Sequence, residues 1–168
     1  MPLSRDLPAG GRRRIVGIDL GERRSGVAIG DPAALTASPF ATLSRGKTVI
    51  DDAAAIAHIA AEQGAGALVV GLPINMDGSE GPQAARTREW AVAVATATGL
   101  ALRYRDERLT SERAESRIGK AGRGRSGGPP SAAQREAYRA RIDREAAALI
   151  LQDDLDATSV ENAQRRPG

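Results

Sequence analysis

Cysteine is absent from this 168-residue chain, which excludes disulfides and thiolate metal sites. Histidine occurs once, at His58 amid the alanines of a helical stretch, where it reads as a structural or surface residue. A zinc centre built on imidazoles is therefore not expected. Aromatic side chains make up only 2%: Phe40, Trp90, Tyr104 and Tyr138. A base-stacking platform needs several exposed rings, so any nucleic-acid binding should run through phosphates and shape and be salt-sensitive. No apolar run approaches the length of a membrane span. The N-terminal arginines, Arg5 and Arg12 to Arg14, are not followed by an apolar stretch with a cleavage site, so no signal peptide is read. The expectation is a soluble, cytoplasmic protein without a membrane partner. A Walker-type phosphate loop, a Ser/His/Asp nucleophile arrangement and internal repeats are also missing.

Apolar residues at 41% suffice for one packed core, and the length suits one domain. The net charge is +3 with a pI near 9.9. Lys47 and Lys120 are the only lysines, so the positive charge is almost all arginine, the better bidentate phosphate ligand. A general Ala, Gly and Arg bias of the genome accounts for the same composition equally well.

Residues 1–11, rich in Pro and Gly, are expected to be disordered, 12–157 to form a single domain, and 158–168 to be a flexible tail. Strands are expected over Ile15 to Asp19 and Ser25 to Gly30, joined by a hairpin-sized link, Glu22-Arg23-Arg24. A third is placed at Phe40 to Leu43, after a loop holding Pro32 and Pro39. Helical spacing of Ile50, Ala53, Ala54, Ala57 and Ala61 predicts a helix over Val49 to Gln63. The apolar run Ala67 to Leu72 reads as a buried central strand. A helix over 82–98 closes at Gly99, a short strand follows at Leu100 to Tyr104, and a helix at Thr110 to Ile118. Gly119 to Pro130 is a Gly/Arg-rich breaker before a last helix, Ala132 to Leu155. A hairpin followed by βαβ crossovers gives an α/β mixed sheet with helices on its faces. Ribonuclease H-like and actin-like ATPase folds both have this layout.

Three acids stand where chemistry could gather. Asp19 ends an apolar strand between Gly17 and Gly21, glycines that let backbone or ligand approach closely; a turn-capping role is the plainer alternative. Glu107 follows the strand Leu100 to Tyr104, at the sheet edge where sites collect in open α/β sheets. Its neighbour Asp106 should point the opposite way, so only one of the two can join Asp19. Asp143 has Ala146, Ala147 and Ile150 as helical neighbours, which puts it beside a buried stripe where it needs a metal or a partner such as Arg139. Carboxylates without a His or Cys cluster suit hard, oxygen-loving cations, magnesium or manganese. Two such ions can activate water and clamp a phosphodiester.

Candidate substrate-binding residues are Arg24, Asn75, Asp77, Ser79, Arg108, Arg123 and Arg125. Asn75, Asp77 and Ser79 lie in a strand-to-helix loop, whose helix N-terminus can hold phosphate; ordinary turn chemistry explains them as well. Gly122 to Gly127 matches a GxGxxG string but follows no strand, so a dinucleotide reading fails. Its arginines can touch phosphate or belong to a plain linker.

Taken together, four segments resemble the YqgF family of RuvC-like nucleases, also called RuvX. They are Gly17-Ile18-Asp19-Leu20-Gly21 with Gly26-Val27-Ala28; Gly71-Leu72-Pro73 with Met76-Asp77-Gly78-Ser79; Asp106-Glu107-Arg108-Leu109-Thr110; and Ile142-Asp143 with Ala146-Ala147 and Ile150-Leu151-Gln152. The resemblance implies a ribonuclease H-like fold and a metal-dependent nuclease centre at Asp19, Glu107 and Asp143. It further implies structured RNA as substrate, in trimming the 5′ end of precursor 16S ribosomal RNA within ribosomal precursor particles, or branched DNA in Holliday-junction resolution. Two departures stand out. Glu22-Arg23-Arg24-Ser25 replaces a Thr-Lys-Arg-Ile/Val-type turn. The strand ending at Gly71 lacks the terminal carboxylate of RuvC-type resolvases, so Glu107 must stand in for it. An actin-like ATPase and a non-catalytic nucleic-acid binder are the other readings, and the chain is expected to be a monomer or a homodimer.

Overall fold

The apolar runs Ile15-Val16-Gly17-Ile18 and Gly26-Val27-Ala28-Ile29, joined by a short polar link, fold as a hairpin. β1 (Arg14–Leu20) and β2 (Arg24–Asp31) pair antiparallel, with Asp19 opposite Gly26. The computed structural model describes residues 13–167, so the disorder expected for residues 1–11 lies outside the described residues. β3 (Thr36–Ser44) is longer than expected and contains Pro39. Proline, which has no N–H, is tolerated because β3 is an edge strand and its register shifts there. Val27 faces Ala41 and Ala28 faces Pro39, leaving Phe40 as the extra, bulged residue.

α1 (Val49–Gln63) begins at a Thr48 capping box and ends on Gly64 in the left-handed conformation, φ 65. It leads into β4 (Ala65–Leu72), parallel to β1. α2 (Pro82–Thr98) then leads into β5 (Ala101–Asp106), parallel to β4. The strand order is β3-β2-β1-β4-β5. α3 (Thr110–Ile118) and α4 (Ala132–Arg165) follow.

The period-two alternation of the strands sorts their side chains onto two faces. Val16, Ile18, Val27, Leu68 and Val70 pack with Ile56, Trp90 and Val94 of α1 and α2. Ile15, Ala28 and Val69 pack on the other face with Ala147, Ile150, Leu151 and Leu155 of α4. α3 joins this second layer through Ala114, against Ala146 and Leu149. The sheet thus carries helices on both faces, the ribonuclease H-like arrangement that the resemblance implies.

α4 comes unusually close to the sheet. A Cβ at Gly17 would lie 2.9 Å from Leu151 Cβ, and one at Gly26 would overlap the Asp143 carbonyl oxygen. α4 also runs on to Arg165 instead of ending at Leu155, so most of the expected tail is helical. Residues 157–159 remain half-buried, Thr158 Oγ1 donates to the Asp154 carbonyl at 2.9 Å, and no breaker occurs before Pro167. Among the described residues no helix is long and apolar enough to cross a membrane. His58 is exposed, 3.3 Å from Glu62.

Candidate active site

Asp19, near the end of β1, shares a strand face with Gly17 and so points toward α4. Glu107 reaches the same place from β5. Its N–H donates to the Leu72 carbonyl at 3.0 Å, and its own carbonyl accepts the Thr110 N–H at 3.1 Å. That turn holds Leu109 in the left-handed region, φ 60, at a cost of about 1 kcal/mol. A Cβ at Gly71 would lie 2.7 Å from Glu107 Oε2. The Glu107 carboxyl therefore occupies the space over the end of β4, which is why that position is glycine and carries no acid of its own. Asp106 turns away, accepting from the Arg108 N–H at 2.8 Å and from Arg108 Nε at 2.7 Å. Glu107 is the one of the two neighbours that meets Asp19.

The two carboxyls lie close enough for each to shift the other's titration. Burial, the charge of Asp19 and the hydrogen bond to it push Glu107 up to about 9 from an ordinary 4.5, with a further push from Asp106. Burial also raises Asp19; the Glu107 hydrogen bond works against that rise, and the negative charge of Asp143 adds to it. The interaction between them favours the protonated form of Glu107 and the charged form of Asp19.

Asp143 arrives from α4, whose backbone rests on Gly26. Its partner is Arg24 rather than Arg139: Arg24 Nε donates to Asp143 Oδ2 at 2.8 Å. Arg24 Nη1 also donates to Glu136 Oε1 at 2.6 Å. Among the described residues no group of three His, Cys, Asp or Glu side chains is gathered closely enough to hold an ion. Asp19 and Glu107 are joined, while Asp143 is drawn aside to Arg24. As a donor set the three fit a hard divalent cation: all are oxygen ligands, and the like charges that raise Glu107 beside Asp19 are what a cation would neutralise.

The residues expected at the substrate are distributed unevenly. Arg24 contacts Asp143 directly. Asn75, Asp77 and Ser79 form a self-closed loop: Asn75 Nδ2 donates to Ser79 Oγ at 3.0 Å, and Ser79 N–H and Oγ both donate to Asp77 Oδ1, at 2.9 and 2.6 Å. Arg108 ties that loop to β5 through the Met76 carbonyl at 3.3 Å. Arg123 and Arg125 are exposed on a turn closed by the Gly124 N–H to the Gly128 carbonyl, 3.0 Å.

Sequence reasoning missed Arg23 and Glu136 as site residues and read Arg139 only as a partner for Asp143. With Gly21, Arg24 and Asp143 they line an open cleft of about 540 Å³ beside the carboxylates. Glu136 lies two turns before Asp143 on the same side of α4, a spacing that could have flagged it. A brace beneath the β1–β2 turn was also missed. Arg45 Nη1 donates to the Gly21 carbonyl at 2.7 Å and Arg45 Nε to Asp52 Oδ2 at 2.9 Å; Asp52 also accepts from Trp90 Nε1 at 2.9 Å.

A five-stranded mixed sheet with a hairpin start, carrying an acidic pair at the edge where the strands end, defines a ribonuclease H-like protein. Within that class the chain belongs to the RuvX family: the family model described as "RuvX: Holliday junction resolvase" matches residues 13–157, which include every site residue above. A relative from Nitrobacter hamburgensis is 43% identical over 149 residues, covering 89% of this chain and 85% of its own. One from Anaeromyxobacter sp. (strain Fw109-5) is 43% identical over 143 residues, covering 85% and 96%. Both carry the name "Putative pre-16S rRNA nuclease". Among solved structures the chain is similar to T. thermophilus RuvC in complex with a Holliday junction substrate, with 16% identity, a TM-score of 0.49, and 88% of this chain and 96% of that one covered.

Proposed function

We propose that this chain is a hydrolytic, divalent-metal-dependent nuclease acting on the precursor of 16S ribosomal RNA. The observation that carries the reading is the meeting of Glu107, whose carboxyl sits over the end of β4, with Asp19 from β1, and Asp143 near enough for its charge to raise Asp19. A structural ion pair would not join two acids in this way; a cation site would. Asp19, Glu107 and Asp143 are the ligands, for two magnesium or manganese ions. When bound, such ions supply an activated water and charge stabilisation at the leaving oxygen of a phosphodiester. Glu107 gives up its proton as the site loads, and burial of the pair keeps bulk water from screening it. Arg23, Arg24 and Arg139 in the cleft hold backbone phosphates, with Arg123 and Arg125 available from the exposed turn. The setting is cytoplasmic, with ribosomal precursor particles as the partner and the chain acting as a monomer or homodimer.

A second substrate, branched DNA, is favoured by the description of the matching family as a Holliday junction resolvase. One experiment addresses both. A precursor 16S RNA fragment and a four-way DNA junction are incubated with the protein in Mg²⁺, in Mn²⁺ and in chelator, beside Asp19→Asn. Cleavage of the RNA that needs the ion and is lost in D19N is the expected result. Cleavage by D19N at the wild-type rate would overturn the reading. Cutting confined to the junction would move the substrate to DNA.

A further inference from the structure

The Arg24 guanidinium is fixed at both ends by α4. It donates to Asp143 at 2.8 Å and to Glu136 at 2.6 Å. Glu136 and Asp143 are seven positions apart, two turns on one face of the helix. Arg24 and Gly26 lie on the same face of β2, and the Asp143 backbone sits directly on Gly26. Closeness of helix and strand therefore forces this meeting; it is not a chance surface pairing. Arg24 and Asp143 are both more than two-thirds covered, at 23% and 26% side-chain exposure, whereas Glu136 is open at 59%.

From this geometry we infer that Arg24 is an exchangeable internal cation: it occupies Asp143 until a divalent ion takes that carboxylate, and it then turns to a phosphate of the nucleic acid. The inference rests on the nuclease reading above and adds a coupling that the reading does not contain. With Asp143 Oδ2 bonded to the guanidinium, no three acids converge among the described residues, so Asp143 would have to turn from Arg24 to complete the ligand set of Asp19 and Glu107. Arg24 also lines the cleft with Arg23 and Arg139, so a phosphate entering there meets it within its own reach. The ion pulls the pair apart from the carboxylate end and the phosphate from the guanidinium end. Each makes the other's binding easier, and by linkage the effect is reciprocal. Glu136, the more exposed of the two acids, is the holding partner that returns the guanidinium to the helix after product leaves.

The test is Mn²⁺ affinity of the full chain, read by calorimetry or by the loss of free-ion EPR signal, with no substrate present. Arg24→Gln is expected to bind Mn²⁺ more tightly by roughly fivefold or more. Arg24→Lys, which keeps the charge but loses the two-pronged bridge, should show part of that gain. Arg23→Gln removes a neighbouring charge that does not touch Asp143 and should leave the affinity within about twofold. Thermal unfolding of each variant establishes that it is folded. If R24Q binds Mn²⁺ no better than wild type while Asp19→Asn abolishes binding, the exchange is wrong and the nuclease reading stands. An equal gain in R23Q would also overturn it, since the effect would then be general charge. If no variant, nor the wild type, binds Mn²⁺ in a manner that depends on Asp19, both inferences fall.

Discussion

Ser25 is 3% exposed, and its hydroxyl finds no hydrogen-bond partner among the described residues. It lies in register between Leu20 and Leu43, on the face that packs against α1 and α2. An unpaired buried hydroxyl costs about 1 kcal/mol or more, so Ser25→Val should raise the urea midpoint by an equivalent amount at unchanged m-value. A lowered midpoint would show that the hydroxyl is satisfied or the space too small. Gly26, one residue on, faces the opposite way and has the reverse sensitivity. Gly26→Ala places a methyl group into the Asp143 carbonyl, an overpacking that should cost about 2 kcal/mol. Because the displaced segment of α4 carries Asp143, the same variant should also weaken Mn²⁺ binding. Stability and metal affinity unchanged together would mean that α4 does not rest on β2 as described. Adjacent residues on one strand thus answer to different layers, one to the core and one to the site.

At the scale of elements, α4 does most of the joining. Asp154, with no exposed side-chain surface, accepts from Arg103 at 2.7 Å and from Arg105 at 2.8 Å, both on β5. Burial alone would raise its pKa, but the two guanidinium groups hold it below the usual carboxylate range. Asp154→Asn leaves two half-exposed arginines without their anion and should destabilise by about 3 kcal/mol; a chemical-denaturation midpoint near wild type would refute this. These cross-element pairs mark the limit of what the sequence discloses. α1, α2 and α3 are readable because apolar spacing and caps such as Thr48 and Gly99 are local signals. β3 is read short because Pro39 looks like a loop residue, and only its pairing with β2 shows a bulge that absorbs it. The far end of α4 escapes notice because the apolar stripe ends at Leu155, while nothing before Pro167 stops the helix. Asp19, Glu107 and Asp143 stand out as acids at strand ends or beside an apolar stripe. The partner of Asp143 does not, since Arg24 is 119 positions away in a chain with many arginines.

For the molecule as a whole, these acids set opposing pH responses. Glu107 is raised to about 9 in the fold against 4.5 when unfolded. Below the lower value both states carry the proton and Glu107 contributes nothing to the pH dependence. Between the two values the unfolded chain has released its proton while the folded one retains it, so stability falls as pH rises through that window. Asp52 and Asp154 act in the reverse sense: burial raises each, but their hydrogen bonds and arginine partners hold both below the ordinary 3.8, so their contribution is lost only as pH falls below that value. Without divalent ions the melting temperature should therefore decline from about pH 5 toward about pH 9. Glu107→Gln should reduce that decline, because a neutral amide has no proton to lose; the remainder belongs to Asp19, which burial also raises. If Mn²⁺ binds this site it competes with the Glu107 proton, so it should raise the melting temperature most at the alkaline end, where that proton is most easily released. The measurement is thermal unfolding across this range, with and without Mn²⁺, for wild type and E107Q. A slope undiminished in E107Q would remove Glu107 as its source, and an Mn²⁺ shift independent of pH would separate metal binding from the Glu107 proton.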